Sequence, residues 1–132
     1  MAITVTEARA NLREVFDQAE QGVSVPVQRA GRVSAVVDGE RLRDTLALLI
    51  SPSAEVFHEA GEWGGYIPSI PSISGTGDTL PELMADLVAA AREFAADWCD
   101  TLRHAPNHSE NWGFVQVIML STDEYLAAWL AS

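Results

Sequence analysis

Apolar residues recur at helical spacing near the start of the chain. Ala8, Leu12, Val15, Phe16 and Ala19 fall at i, i+4, i+7, i+8 and i+11, which predicts a helix with one buried stripe. Thr6 stands where an N-cap would precede Glu7, and Gly22 where a helix stops. The period then drops to two. Val23, Val25 and Val27 alternate with other residues, and Val33, Ala35 and Val37 do so again after Ala30-Gly31, so residues 23–37 read as a β-hairpin. Pro26 pushes its first arm toward an edge or a strand with one free side. Leu42, Leu46 and Leu49 mark a second helix after Asp38-Gly39, and Ser51-Pro52-Ser53 ends it as the linker candidate.

Beyond residue 53 the pattern predicts strands over 63–70 and 72–75. Thr79-Leu80-Pro81-Glu82 is a capping box with Pro in the first turn. Leu83, Leu87, Ala90, Phe94, Trp98 and Leu102 continue at spacings of three and four, which predicts a helix from Leu80 to Arg103. His104 to Asn111 reads as loop. "WGFVQVIML" (112–120) reads as a strand, and Thr122-Asp123-Glu124 opens a short helix with Tyr125, Leu126 and Trp129 on its apolar side. The expected order is βαββα followed by ββαβα, an α+β chain rather than a doubly wound one.

Charge divides the chain in the same place. Residues 1–50 hold six Arg against seven acids, while residues 51–132 hold two Arg against twelve, within a net charge of −11. Every cation is Arg, which a composition bias explains. The asymmetry suggests two modules with different partners. With 48% hydrophobic and 20% charged residues, the chain builds a core and is not a disordered acidic tail. Cys99 is the single cysteine, so no intramolecular disulfide framework is available and a reducing compartment fits. The sequence opens on no basic-then-apolar leader and contains no uncharged apolar run of bilayer length. A cytoplasmic protein is therefore expected.

Against that acidic background the clustered cations carry information. Arg9, Asn11 and Arg13 share one side of the first helix, and Arg29 and Arg32 flank the hairpin tip. Guanidinium groups suit phosphate contacts and guanine readout, and Asn suits adenine. The alternative is a solvated face paired with Glu14 and Asp17. Cys99, His104 and His108 are three borderline ligands within ten residues, but no second Cys or fourth ligand completes a site, so no metal and no cofactor are expected. Asp78, Ser72, Ser74 and His58 form no recognisable catalytic arrangement, so the chain is not expected to be an enzyme. Of four Trp, 98 and 129 read as core, whereas Trp63 and Trp112 flank loops and are candidate anchors.

Residues 1–50 resemble the Phd/YefM family of antitoxins, through Ile3, "TEARANL" (6–12), Gly22, "VSVPVQRAGRVSAVV" (23–37) and the helix that follows. The resemblance implies a βαββα domain that dimerises, binds operator DNA and represses its own operon, with Arg9, Asn11, Arg13, Arg29 and Arg32 on the DNA. No charged flexible tail follows residue 50, where that family usually has one. Residues 54–132 resemble the HicB family of antitoxins through "YIPSIPSISGTGDTLPEL" (66–83), with Tyr66, Pro68, Pro71, Gly77, Asp78, Thr79 and Leu80 on pattern. Ser72 stands where Gly is usual, and Leu83 where a small residue is usual.

This second resemblance implies a partial RNase-H-like ββαβ domain with a short C-terminal helix, seated on an mRNA-cleaving toxin. Trp63, Tyr66 and Trp112 are the expected contact residues. No separate DNA-binding segment fits in residues 121–132, so the first domain takes that part. The expectation is a type II antitoxin and autorepressor: a homodimer or higher even oligomer, with operator DNA and a basic ribonuclease toxin as partners and no membrane association. The alternative is a toxin-free transcriptional regulator or adaptor whose second domain serves oligomerisation or ligand sensing.

Overall fold

Thr4, not Thr6, opens the first helix. Its hydroxyl accepts from the Glu7 amide at 3.1 Å, and its own N–H donates to the Glu7 carboxylate at 3.4 Å, a complete capping box. The computed structural model describes residues 2–132, and the chain divides into two compact units, Met1–Leu42 and Arg43–Ser132.

The first unit holds β1 (Ile3–Thr4), α1 (Val5–Ala10), α2 (Leu12–Glu20), β2 (Val25–Arg29) and β3 (Arg32–Val36), and α3 (Gly39–Leu49) begins in it. The single helix expected over residues 7–21 is broken at Asn11. Asn11 adopts φ −123° and ψ 34°, and its side-chain amide donates to the Glu7 carbonyl at 2.9 Å, a local bond that competes with the helix ladder. Gly22 ends α2 as expected. At φ 93° it lets its own N–H reach the Ala19 carbonyl and the Val23 N–H reach that of Gln18, a Schellman motif.

The sheet order is β1-β2-β3, with β1 parallel to β2 and β3 antiparallel. Pro26 lies beyond the two-residue pairing with β1 and so has one free side. Of the expected stripe, only Val15 and Ala19 are buried, while Leu12 and Phe16 are each 50% exposed.

The second unit has the larger core. Strands β4 (Glu55–Glu59), β5 (Glu62–Ile67) and β6 (Ile70–Gly77) form an antiparallel meander in that order. Helix α4 (Leu80–Asp100) covers one face. Its Thr79 N-cap accepts from the Glu82 amide, and Leu83, Leu87, Ala91, Phe94 and Trp98 are buried with Ile67, Ile70 and Ile73. The second half of α3 belongs here as well. Leu46, Ala47 and Ile50 pack on the core, and the Trp129 indole N–H donates to the Ala47 and Ile50 carbonyls. The expected linker 51–53 lies inside this unit, with Pro52 fully buried.

Two expectations for this half are corrected. Residues 112–120 are not a strand but a helix, α5 (Trp112–Leu120), followed by α6 (Asp123–Leu130). Phe114, Val115, Val117 and Ile118 are buried, a helical set rather than an alternating one. A nine-residue, largely apolar run fits a buried helix as well as a buried strand, and periodicity cannot separate them. The ββαβ order is therefore replaced by three strands, one long helix and two short ones, and β4 is a strand where none was expected.

Arg92 holds the junction that makes this possible. Its guanidinium donates to the Ile118 carbonyl, to the Ser121 carbonyl at 2.8 Å and to the Asp123 carboxylate at 2.8 Å, satisfying carbonyls at the end of α5. Among the described residues no helix is long and apolar enough to cross a membrane.

Candidate functional site

The hairpin of the first unit turns through Ala30 at φ 50° and Gly31 at φ 78°. Positive φ at both central residues gives the I′ type of turn, whose twist matches that of the strands. Arg29 and Arg32 are thereby direct cross-strand partners, both exposed. Like charges in that position repel, so the fold gains nothing from the pairing.

Arg9 lies in the last turn of α1 and Arg13 in the first turn of α2, one on each side of the break at Asn11, and both are exposed. Asn11 itself is exposed, with its amide N–H committed to Glu7. Among the described residues the ion pairs are Arg41–Asp38, Arg43–Asp44 and Arg92–Asp123. None of the five candidate residues takes part in them, and the pairing of Arg9 or Arg13 with Glu14 or Asp17 is not formed.

In the second unit Trp63 and Tyr66 both lie on β5 but do not share a face. Trp63 packs toward the core and stacks on His58 of β4, with centroids 4.3 Å apart and planes 7° from parallel. Tyr66, three residues on, points to the opposite side, where its hydroxyl donates to Glu55 at 2.5 Å. That bond to a carboxylate raises the Tyr66 pKa above the ordinary value, with the nearby charge adding to it. Trp112 is 51% exposed at the start of α5 rather than at a sheet edge.

Sequence reasoning found β5 within the expected strand 63–70 but missed β4 and the turn that pairs the two. Ala60 at φ 51° and Gly61 at φ 78° repeat the first turn almost degree for degree, and Glu59 and Glu62 are its cross-strand pair. The signal was there: Glu59-Ala60-Gly61-Glu62 copies Arg29-Ala30-Gly31-Arg32 with the charges reversed. Next to it, Phe57 lies across Gly64, where a Cβ would come within 2.5 Å of the ring. Phe57 stays 51% exposed.

A second unforeseen cluster joins Arg43, Asp44 and Tyr125. The Tyr125 hydroxyl donates to Asp44 at 2.8 Å, and the Arg43 guanidinium lies 3.9 Å from the centre of the Tyr125 ring. The Tyr125 hydrogen bond, then the Arg43 bond, hold the Asp44 carboxyl below its usual pKa, and Asp44 in turn raises that of Tyr125.

The residues weighed as metal ligands have other neighbours. Cys99 Sγ lies 3.6 Å from Met119 Sδ, and His108 Nδ1 is 3.4 Å from the Asn111 amide. Among the described residues no group of three or more His, Cys, Asp or Glu is placed to hold a metal ion. The Asp78 N–H donates to Glu82 at 2.9 Å, which places Asp78 in the turn before α4.

No protein-family model matches the chain, and no curated protein matches it. The fold, however, is similar to that of a solved structure, the antitoxin part of a proposed toxin/antitoxin system from Syntrophomonas wolfei subsp. wolfei. The two superpose with a TM-score of 0.80 over 98% of this chain and 95% of that one, at 21% sequence identity. At that identity the comparison speaks for the fold. The mixed α+β architecture, with its two small sheets and six α-helices among the described residues, is one that this antitoxin shares.

Proposed function

We propose that the protein is a type II antitoxin that represses its own operon, a reading carried by the fold it shares with an antitoxin across nearly its whole length. In this reading the first unit is Phd/YefM-like and the second a HicB-like derivative, with functional limits near 1–50 and 54–132. Arg9, Asn11, Arg13, Arg29 and Arg32 meet operator DNA. Four exposed guanidinium groups outside any ion pair support this, because phosphate contact needs cations with no internal partner.

A homodimer follows from the same unit. Among the described residues Val15, Ala19 and Val25 are its buried apolar residues, while Val5, Leu12, Phe16, Val23 and Val33 stay exposed. A unit of that size is marginal alone, and a two-fold partner covers the surface while doubling the Arg patch.

The second unit engages a cationic toxin, read as a ribonuclease. Its acidic excess supports this, since RNA-binding proteins are positive where RNA sits. Trp112 offers exposed aromatic surface, and Tyr66 and Trp63 add half-buried rings on opposite faces of β5. The protein performs no catalysis of its own and works in the cytoplasm.

The test is co-expression of the chain with the product of the neighbouring gene. Co-purification, loss of RNA cleavage by that product and retardation of the upstream DNA are the expected results. DNA retardation without co-purification, and a neighbour that cleaves no RNA, would move the reading to a toxin-free regulator.

A further inference from the structure

The sheet of the second unit has two edges, and they are not alike. The β6 edge is blunted, because Pro71 has no N–H and the outward N–H of Thr76 donates to Asp86 at 2.9 Å. The β4 edge is open. All five of its residues, Glu55 to Glu59, are exposed, and it contains no proline and no irregularity of register. Among the described residues its backbone bonds only to β5. Val56 is 42% exposed and Phe57 51%, so an apolar side chain is available on each face of the edge.

We propose that the β4 edge accepts a strand from a cationic protein partner, by β-addition. This rests on the toxin-binding reading for the identity of that partner, and goes beyond it in naming where and how the partner docks. The charges select the occupant. A second copy of the chain, paired antiparallel about Phe57, would set Glu55 against the partner copy's Glu59 at both ends of the contact, and like charges directly opposite are destabilising. Nucleic acid and anionic lipid are repelled by Glu55, Glu59 and Glu62. A strand with Arg or Lys opposite Glu55 and Glu59, and an apolar residue opposite Phe57, satisfies all three positions on that face. Backbone bonds then supply affinity, and the acidic ends supply register and steering.

The probe is a disulfide-closed hairpin peptide whose outer strand reads Arg-Thr-Val-Thr-Arg, compared with one reading Glu-Thr-Val-Thr-Glu. Each is titrated into the full chain while amide hydrogen exchange is followed residue by residue. The expected result is saturable binding of the cationic peptide alone, with slowed exchange within residues 55–59. Glu59→Arg should weaken that binding roughly tenfold or more. It should not lower the melting temperature, because it replaces a Glu59/Glu62 repulsion with an opposite-charge pair.

No binding of the cationic peptide, binding without protection of β4, or equal binding to Glu59→Arg overturns the proposal. The two readings fail separately. If the neighbouring gene's product binds while β4 amides exchange freely, the edge is wrong and the toxin reading stands. Peptide capture at β4 with no binding of that product gives the reverse.

Discussion

The two hairpins of this protein are built alike and charged oppositely. Each turns through Ala-Gly with φ near 50° and 78°, and each sets an identical pair of charged residues across the turn: Arg29 with Arg32, and Glu59 with Glu62. Neither pair helps its own hairpin, since both place like charges face to face. A feature that costs stability twice, with opposite sign, is better explained by what each tip meets outside the chain. Under the proposed function, phosphate suits the first tip and a cationic protein the second. The cores behind them differ too. The second unit buries seventeen apolar residues in one cluster, whereas the first buries Val15, Ala19 and Val25 and leaves Leu12 and Phe16 half-exposed. The second unit covers its apolar residues within one copy, whereas the first leaves several exposed.

The largest effect should separate the cores. Leu87→Ala removes a fully buried side chain and should cost about 2–5 kcal/mol by urea unfolding. Phe16→Ala should cost the isolated protomer about 1 kcal/mol or less, yet raise the dimer dissociation constant by about tenfold or more in sedimentation equilibrium. If Phe16→Ala leaves association unchanged, the first unit is not the dimer interface and the contrast between the cores loses its meaning.

Charge reversal at the tips comes next. Arg29→Glu with Arg32→Glu should weaken operator binding roughly 10²-fold at about 0.1 M salt and lower the salt slope by about two, read by anisotropy titrations across salt concentrations. The matching reversal, Glu59→Arg with Glu62→Arg, should leave operator affinity within about twofold, since these residues are assigned to protein rather than phosphate. Equal effects of the two reversals would erase the division of labour.

Smaller effects test the shared turn. Ala30 and Ala60 hold positive φ, which Asn tolerates better than Ala. Ala30→Asn and Ala60→Asn should each stabilise by about 0.5–1 kcal/mol in thermal unfolding, and by similar amounts if the two turns are equivalent.

The smallest effect concerns pH, at a site only the second unit has. The Asp44 carboxyl is held low by the Tyr125 hydroxyl first and Arg43 second. Its contribution is thus present above the ordinary carboxylate value and lost as pH falls through the lowered one, below about pH 4. Tyr125→Phe should flatten the fall in urea midpoint over that acid range.

Much of this architecture is written locally. Gly22 stops α2, Ala30-Gly31 turns the first hairpin and Thr79 caps α4, because capping and turn chemistry act over three or four residues and need no tertiary context. The Arg candidates were legible for the same reason, as exposed polar positions on short elements. The second hairpin was equally local and only half read: β5 falls within the expected strand 63–70, while β4 and its Ala60-Gly61 turn were missed, and the room Gly64 leaves for the Phe57 ring emerges only once the strands pair.

Segment 112–120 is a different kind of case. Nine residues whose only polar member is Gln116 carry no period strong enough to choose strand or helix. The choice is made by Arg92, twenty residues or more away in sequence, which binds the Ile118 and Ser121 carbonyls, and by a core that takes Phe114, Val115, Val117 and Ile118 on a helical face. Local chemistry set the caps, the turns and the charge of each tip. Long-range packing decided that residues 112–120 form a helix rather than a further strand of the β4-β5-β6 sheet.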